Sequence, residues 1–268
     1  MRSLLMLFTI FFFVSQASAQ DTAADEPDIP PYWKNFATGS FVTVEYLRKV
    51  PQTPVSKSQV KTVLQEFGDS AFTRYRGEDG FKKAERGSAG KRTLPEQVGF
   101  KKVASRDEKI TVAGKEYSST VTTLRMEDRR GKKELVIWEV KELTLHTRTM
   151  GMPGPDLLLN AHVVKAQLSL SGRGSSQKVI QTVVKFKEEL NIGKHKISCL
   201  VEKLAGNIDR GGAKMNPVGE YWTSENIPGR IAKLVVSGTF SKDSMKWPGE
   251  RFSESMIVVD FKAIRKSD

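Results

Sequence analysis

The sequence predicts a mainly β protein: antiparallel curved sheets or a half-barrel, built from two related β modules with few helices. Three observations carry this. Apolar residues alternate with polar ones over short runs such as "SFVTVEYL" (40–47) and "RIAKLVVSG" (230–238), the period of a half-buried strand. Clusters rich in Gly, Pro and Asp separate those runs, as turns do. A stretch of the first half also recurs in the second.

The chain opens with "MRSLLMLFTIFFFVSQASAQ". Arg2 is a positive start, Leu4 to Val14 is apolar, and Ala17-Ser18-Ala19 is a small-residue cleavage pattern. Residues 1–19 read as a secretory signal peptide, too short to span a membrane as a helix. No later apolar run has membrane length, so a soluble, exported chain is expected, periplasmic or extracellular. Residues 20–31, "QDTAADEPDIPP", hold four acids and no base and read as a disordered acidic leader. Order is expected from Tyr32-Trp33.

The first β module is expected over 32–178 and the second over 179–268. "SFVTVEYL" opens the first as a strand. "SKSQVKTVLQEF" (56–67) fits a helical face through Val60, Val63, Leu64 and Phe67. It fits equally a strand turning at Gly68-Asp69-Ser70 into "AFTRYR", and its β surroundings favour the strand. Residues 77–108, rich in Gly, Lys and Arg, are expected to form a long basic loop insert.

The recurrence links "ITVAGKEYSSTV" (110–121) to "LNIGKHKISCLV" (190–201). Val112 pairs with Ile192, Gly114-Lys115 with Gly193-Lys194 after a one-residue gap, Ser119 with Cys199 and Val121 with Val201. A polar turn follows in each, then Trp138 or Trp222, then Pro-Gly at 153–154 or 228–229. A strand-like run closes each, "HVVKAQLSLSG" (162–172) or "RIAKLVVSG". The lead-in also recurs, as "VIQTVVKFKEEL" (179–190) and "ESMIVVDFKAIR" (254–265). In the second copy Ile197, Cys199 and Val201 should point inward and Lys196, Ser198 and Glu202 outward. Trp222 should begin a strand, and Ile227-Pro228-Gly229 should make a tight turn, because Pro presets φ and Gly accepts the positive φ that follows.

Composition narrows the chemistry. There are 43 Lys and Arg against 31 Asp and Glu, a formal net charge of +12, which favours acidic partners. One cysteine, Cys199, permits no intrachain disulfide. Three histidines with neither HExxH nor CxxC give no zinc motif, and no metal or cofactor is expected. The G-x-S-x-G elbow, the P-loop, the dinucleotide Gly-rich turn and the calcium loop are all missing. His195 precedes Cys199 by four residues, about 13 Å along a strand, beyond the reach of a nucleophile–base pair. Glu188-Glu189 and Asp107-Glu108 are adjacent in sequence, so on a strand each pair splits between opposite faces. No catalytic residue is identified.

The unit "GKHKISC … YWTSENIPGRIAKLVVSG" resembles a group of uncharacterised secreted proteins of planctomycete-type bacteria. In these a Gly-Lys strand with a Cys leads to W-x-S-x-x-[IV]-P-G. Here the matching positions are Gly193, Lys194, Cys199, Trp222, Ser224, Ile227, Pro228 and Gly229. The first copy departs from the pattern at Ser119 and in the longer spacing from Trp138 to Pro153. The layout also resembles, at the level of fold, the half-barrels of periplasmic lipoprotein carriers, which implies no shared function.

The expected role is therefore a non-catalytic exported binding protein. It would hold an apolar or amphiphilic ligand on the concave side of a curved sheet, with Trp138 and Trp222 as the candidate ligand-binding residues. A basic envelope protein is the alternative, its stretches 82–92, 101–106 and 129–133 meeting acidic polymers or anionic lipid. An enzyme with a site assembled from distant residues is a third. Nucleic acid is a poor partner for an exported chain.

Overall fold

The computed structural model describes residue 33 and residues 35–50, 53–64, 72–77, 83–87, 100–128, 131–150, 158–172, 174–242 and 247–265. The expected signal peptide and acidic leader lie outside the described residues, as does Pro153-Gly154. Every regular element among the described residues is a strand. In chain order these are β1 (Phe41–Lys49), β2 (Ser56–Leu64), β3 (Phe72–Gly77), β4 (Lys83–Gly87), β5 (Lys101–Val112), β6 (Lys115–Asp128), β7 (Gly131–Glu139), β8 (Arg148–Thr149), β9 (Leu158–Leu159), β10 (Val163–Gly172), β11 (Ser175–Ile192), β12 (His195–Arg210), β13 (Ala213–Thr223), β14 (Ile231–Lys242) and β15 (Trp247–Lys262).

Thirteen of them form one open, curved antiparallel sheet in the order β4-β3-β2-β1-β15-β14-β13-β12-β11-β10-β7-β6-β5, and β8 pairs with β9 apart from it. Covalent reach requires the curvature. A flat sheet of this size would separate its edges by about 57 Å. The edges are β4 and β5, consecutive in the chain, and the fourteen steps from Gly87 to Lys101 span at most about 50 Å. The sheet must curl to bring its edges within that reach.

Local sequence explains the strands. β13 alternates buried and exposed residues from Ala213 to Glu220. Short loops join most of the neighbours. Gly211 and Gly212 both take positive φ (59° and 75°), the turn that matches the twist of flanking strands. The hairpins β5–β6 and β11–β12 turn on Ala113-Gly114 and Gly193-Lys194. The two copies therefore align with no gap, and the one-residue gap expected from sequence is not needed. Ile227-Pro228-Gly229 forms the expected turn: Arg230 N–H donates to the Ile227 carbonyl at 2.8 Å, and Gly229 has φ 83°.

The repeat is visible in the topology. β5, β11 and β15 sit four strands apart in the sheet, and each long hairpin leans on the next lead-in strand. Tyr117 meets Phe186 edge-on at 6.5 Å, and His195 meets Phe261 at 5.0 Å. The chain ends close this series. β1 pairs with β15, and Ser40 Oγ accepts from Ile264 N–H at 3.0 Å. In the sheet β1–β4 thus adjoin β15 rather than β5, and the expected module boundary at 178/179 falls inside β11, which is hydrogen-bonded to β10 and β12.

Three expectations differ from the structure. Residues 83–87 and 101–108, expected within a loop insert, are strand β4 and most of β5. Trp222, expected to begin a strand, stands one residue before the end of β13, and Trp138 holds the same place in β7. Glu202, expected outward, is 1% exposed. Residues 56–64 form strand β2, the alternative their β surroundings favoured.

The concave face carries the main core. Leu135, Leu168, Val179, Leu204, Val236 and Phe252 lie in one cluster. Gly238 is a close approach in this layer: a Cβ there would sit 2.9 Å from the Phe252 ring and press on the Asn216 carbonyl. Gly238→Ala should therefore destabilise the fold by about 1–3 kcal/mol, read as a lower urea midpoint at unchanged m-value. Unaltered stability would show that the ring and strand shift freely.

Candidate functional site

Two constellations occupy equivalent places on the convex face. In the first copy the Trp138 indole N–H donates to Glu108 Oε1 at 2.5 Å. Arg106 pairs with the same carboxylate at 3.0 Å, and Lys165 Nζ lies 4.3 Å from the Trp138 ring centroid. In the second, Trp222 Nε1 donates to Glu188 Oε1 at 2.8 Å, Lys185 pairs with Glu188 at 2.5 Å, and Lys233 lies 4.4 Å from the Trp222 ring. Pairing register sets both. Val121 and Val201 face the two Trp residues on one side; Lys165 and Lys233 face them on the other, next to an irregularity in the ladder. A carboxylate accepting an indole N–H and a cation over the ring lock each Trp from two sides.

The electrostatics follow these contacts. The indole N–H is the main cause holding the Glu108 carboxyl below its ordinary range. For Glu188 the Lys185 ammonium comes first and the Trp222 N–H second. Both Trp side chains are buried, at 7% and 6% exposure. The two residues expected to bind ligand thus come to matching sites, with only the ring margins open. Their partners were missed in the sequence. One signal was available: Glu108 and Glu188 stand 80 residues apart, the offset of the copies, and Lys165 and Lys233 are each the fourth residue of the matching runs.

Around Trp138 the convex face forms a groove of about 430 Å³, whose lining includes Val103, Ala104, Thr123, Arg125, Glu134 and Gln167. Two cross-strand lines of cations border it and run on across the sheet. One passes through Arg106, Trp138, Lys165, Lys203 and Lys57, the other through Lys101, Arg125, Lys178 and Arg251. These lines hold eight Lys or Arg against two acids, Glu134 and Glu220. All eight cations are exposed except half-buried Lys165.

The concave side is occupied. The chain between β7 and β10 turns into it, placing Met150 and Leu159 in the main core. Arg148 Nε donates to Glu202 Oε1 at 2.8 Å with both side chains 1% exposed, and Arg148 Nη2 donates to the Val163 carbonyl. Arg230 holds the same segment through the Thr147 carbonyl. His146 Nε2 lies 2.9 Å from Thr223 Oγ1. Burial, reinforced by Arg148 and Arg230, brings the His146 pKa down to about 4.

Cys199 is a core residue. Its sulfur is buried, and desolvation with the nearby Glu188 charge pushes the thiol up to about 11, the opposite of an activated nucleophile. Glu188 and Glu189 point apart, Glu189 to Lys196 at 2.5 Å. Among the described residues no group of three or more His, Cys, Asp or Glu could hold a metal ion. The chain matches no protein-family model, no curated protein and no solved structure.

Two measurements test this interior. Arg148→Met or Glu202→Leu alone should each cost about 3–5 kcal/mol by stranding a buried charge, and the double variant should recover most of it. Additive losses in denaturant titration would mean the charges act independently. For His146 the folded pKa lies below the unfolded value of about 6.5, so the neutral form is the stable one. Stability is full above pH 6.5, falls as the pH drops and levels off below about 4, losing roughly 3 kcal/mol. His146→Asn should flatten that interval in pH-dependent unfolding; an unchanged slope would place the titration elsewhere.

Proposed function

We propose that this is an exported, non-catalytic binding protein of the cell envelope that holds acidic polymers along the convex face of its sheet. The paired cation lines carry the reading. Successive cations along the two lines stand one to five strands apart, about 5–24 Å, a spread that suits an extended polyanion better than a single small anion. Export rests on the signal-peptide pattern of residues 1–19. An apolar ligand in the concave hollow is supported less, since Met150, Leu159 and the Arg148–Glu202 pair occupy that space.

A second reading has its own support. Leu47 (44% exposed), Val218 (52%), Val235 (37%) and Ile257 (40%) lie on the same convex face between the lysines, a mixture that suits an anionic lipid surface.

The test is binding of the mature chain to an acidic polysaccharide over a salt series. Four to five neutralised charges should weaken affinity by roughly 50–100-fold between 50 and 200 mM salt. Lys203→Glu combined with Lys178→Glu should flatten the slope. Absent or salt-independent binding would dismiss the proposal, and binding to anionic vesicles alone would leave the lipid reading.

A further inference from the structure

We infer that the groove beside Trp138 is a subsite for one anionic sugar ring, a uronate or sulfated hexose, within such a polymer. This rests on the polyanion reading of the convex face and narrows it. The volume of about 430 Å³ falls in the ordinary range for small-molecule sites.

The floor is the cross-strand line Ala104, Thr123 and Val136, ending at Gln167. These are short side chains, so the floor is shallow and offers a sugar ring an apolar strip with a hydroxyl and an amide beside it. It offers no deep slot for an acyl chain. The walls are Arg106 with Trp138 on one side and Arg125 with Glu134 on the other. The two arginines stand about 13 Å apart along the strands, wide enough for one ring with its substituents.

The walls supply the charge recognition. Arg125 Nε donates to Glu134 Oε2 at 2.7 Å and Arg106 holds Glu108 at 3.0 Å, yet their side chains remain 64% and 58% exposed. A guanidinium anchored on one edge is preorganised to present its remaining N–H groups to a carboxylate or sulfate. Glu134 can in turn accept from a ring hydroxyl.

The second copy provides an internal contrast. The clamp around Trp222 is the same, but pairing register puts Lys203 and Glu220 where the first copy has the floor residues Thr123 and Val136, and Ala205 and Val218 where it has Arg125 and Glu134. The far wall and the uncharged floor are therefore particular to the first copy. If the arginine and glutamate were only part of the strand scaffold, the second copy should need them too.

Titration calorimetry on the mature chain tests this with a uronate trisaccharide, a sulfated trisaccharide and neutral maltotriose, and with a polyphosphate chain as a charge-only probe. At least one anionic trisaccharide should bind, and maltotriose at least about tenfold more weakly. Thr123→Trp, which fills the floor, and Arg125→Gln, at an exposed site, should each weaken that binding about tenfold or more. Polyphosphate binding should persist in both variants, which also reports that they fold. Whichever anionic trisaccharide binds identifies the carboxylated or sulfated source. Polyphosphate binding without trisaccharide binding, or trisaccharide binding unchanged in both variants, overturns the groove alone. Failure of all the anionic probes on the unaltered chain overturns the convex-face reading itself.

Discussion

The Arg148–Glu202 contact is the constraint on which the interior depends. A sheet with one apolar face needs that face covered, and among the described residues no helix does so. Curvature covers part of it. The rest falls to the chain between β7 and β10, which enters the hollow and is fixed there by a charged pair with both partners almost fully buried. Desolvation offsets most of the attraction in such a pair, so its net stabilisation is small. Its alignment is strict, because a displaced Arg148 would strand two charges at once. Thr147 and His146, on the same segment, reach Arg230 and Thr223 of the second copy, so the segment ties the copies together through the hollow as well as along the sheet.

The repeat explains why the two tryptophans look alike and serve differently. Each stands near the end of its strand, where the ladder is irregular and the sheet face is covered by a neighbouring hairpin. A large ring with one N–H needs a fixed acceptor there, and the lead-in strand supplies Glu108 or Glu188. This is a scaffold requirement, met twice in one geometry. What varies between the copies is the ground beyond the ring: a threonine and a valine and then an arginine and a glutamate in one, a lysine and a glutamate and then an alanine and a valine in the other.

Much of the fold was legible because it is local. Alternation marks β1 and β14, and the Ile227-Pro228-Gly229 turn follows from φ preferences alone. Cys199 reads as core from its apolar neighbours at i±2. The edge strand β5 was not legible, because its first seven residues are all exposed and no period-2 pattern exists to detect. Nor was the β1–β15 pairing, which joins residues more than 200 positions apart without a local signal. Glu202 reads as outward by alternation with Cys199 and Val201, and it does face away from them. At that point of β12, however, both faces are buried, one by a neighbouring hairpin and one by the segment bearing Arg148. A pair separated by 54 residues leaves no trace in either neighbourhood.

These features divide the two faces of the sheet between separate tasks. The concave face is committed to folding: its apolar positions pack on one another and its buried charges are engaged with the segment that fills the hollow. The convex face buries an apolar set of its own, Val121, Val136, Cys199 and Val201 with the two tryptophans, and leaves much of its remaining surface exposed. Its cations nevertheless stand in register along cross-strand lines. Solubility alone would be served by charges of either sign in any order. A strong excess of one sign, held in place on a rigid support, presents a directional field to whatever approaches. The groove lies where that field meets the apolar floor and the second arginine wall, so charge, shape and hydrogen-bonding capacity coincide there and not at the equivalent place in the second copy.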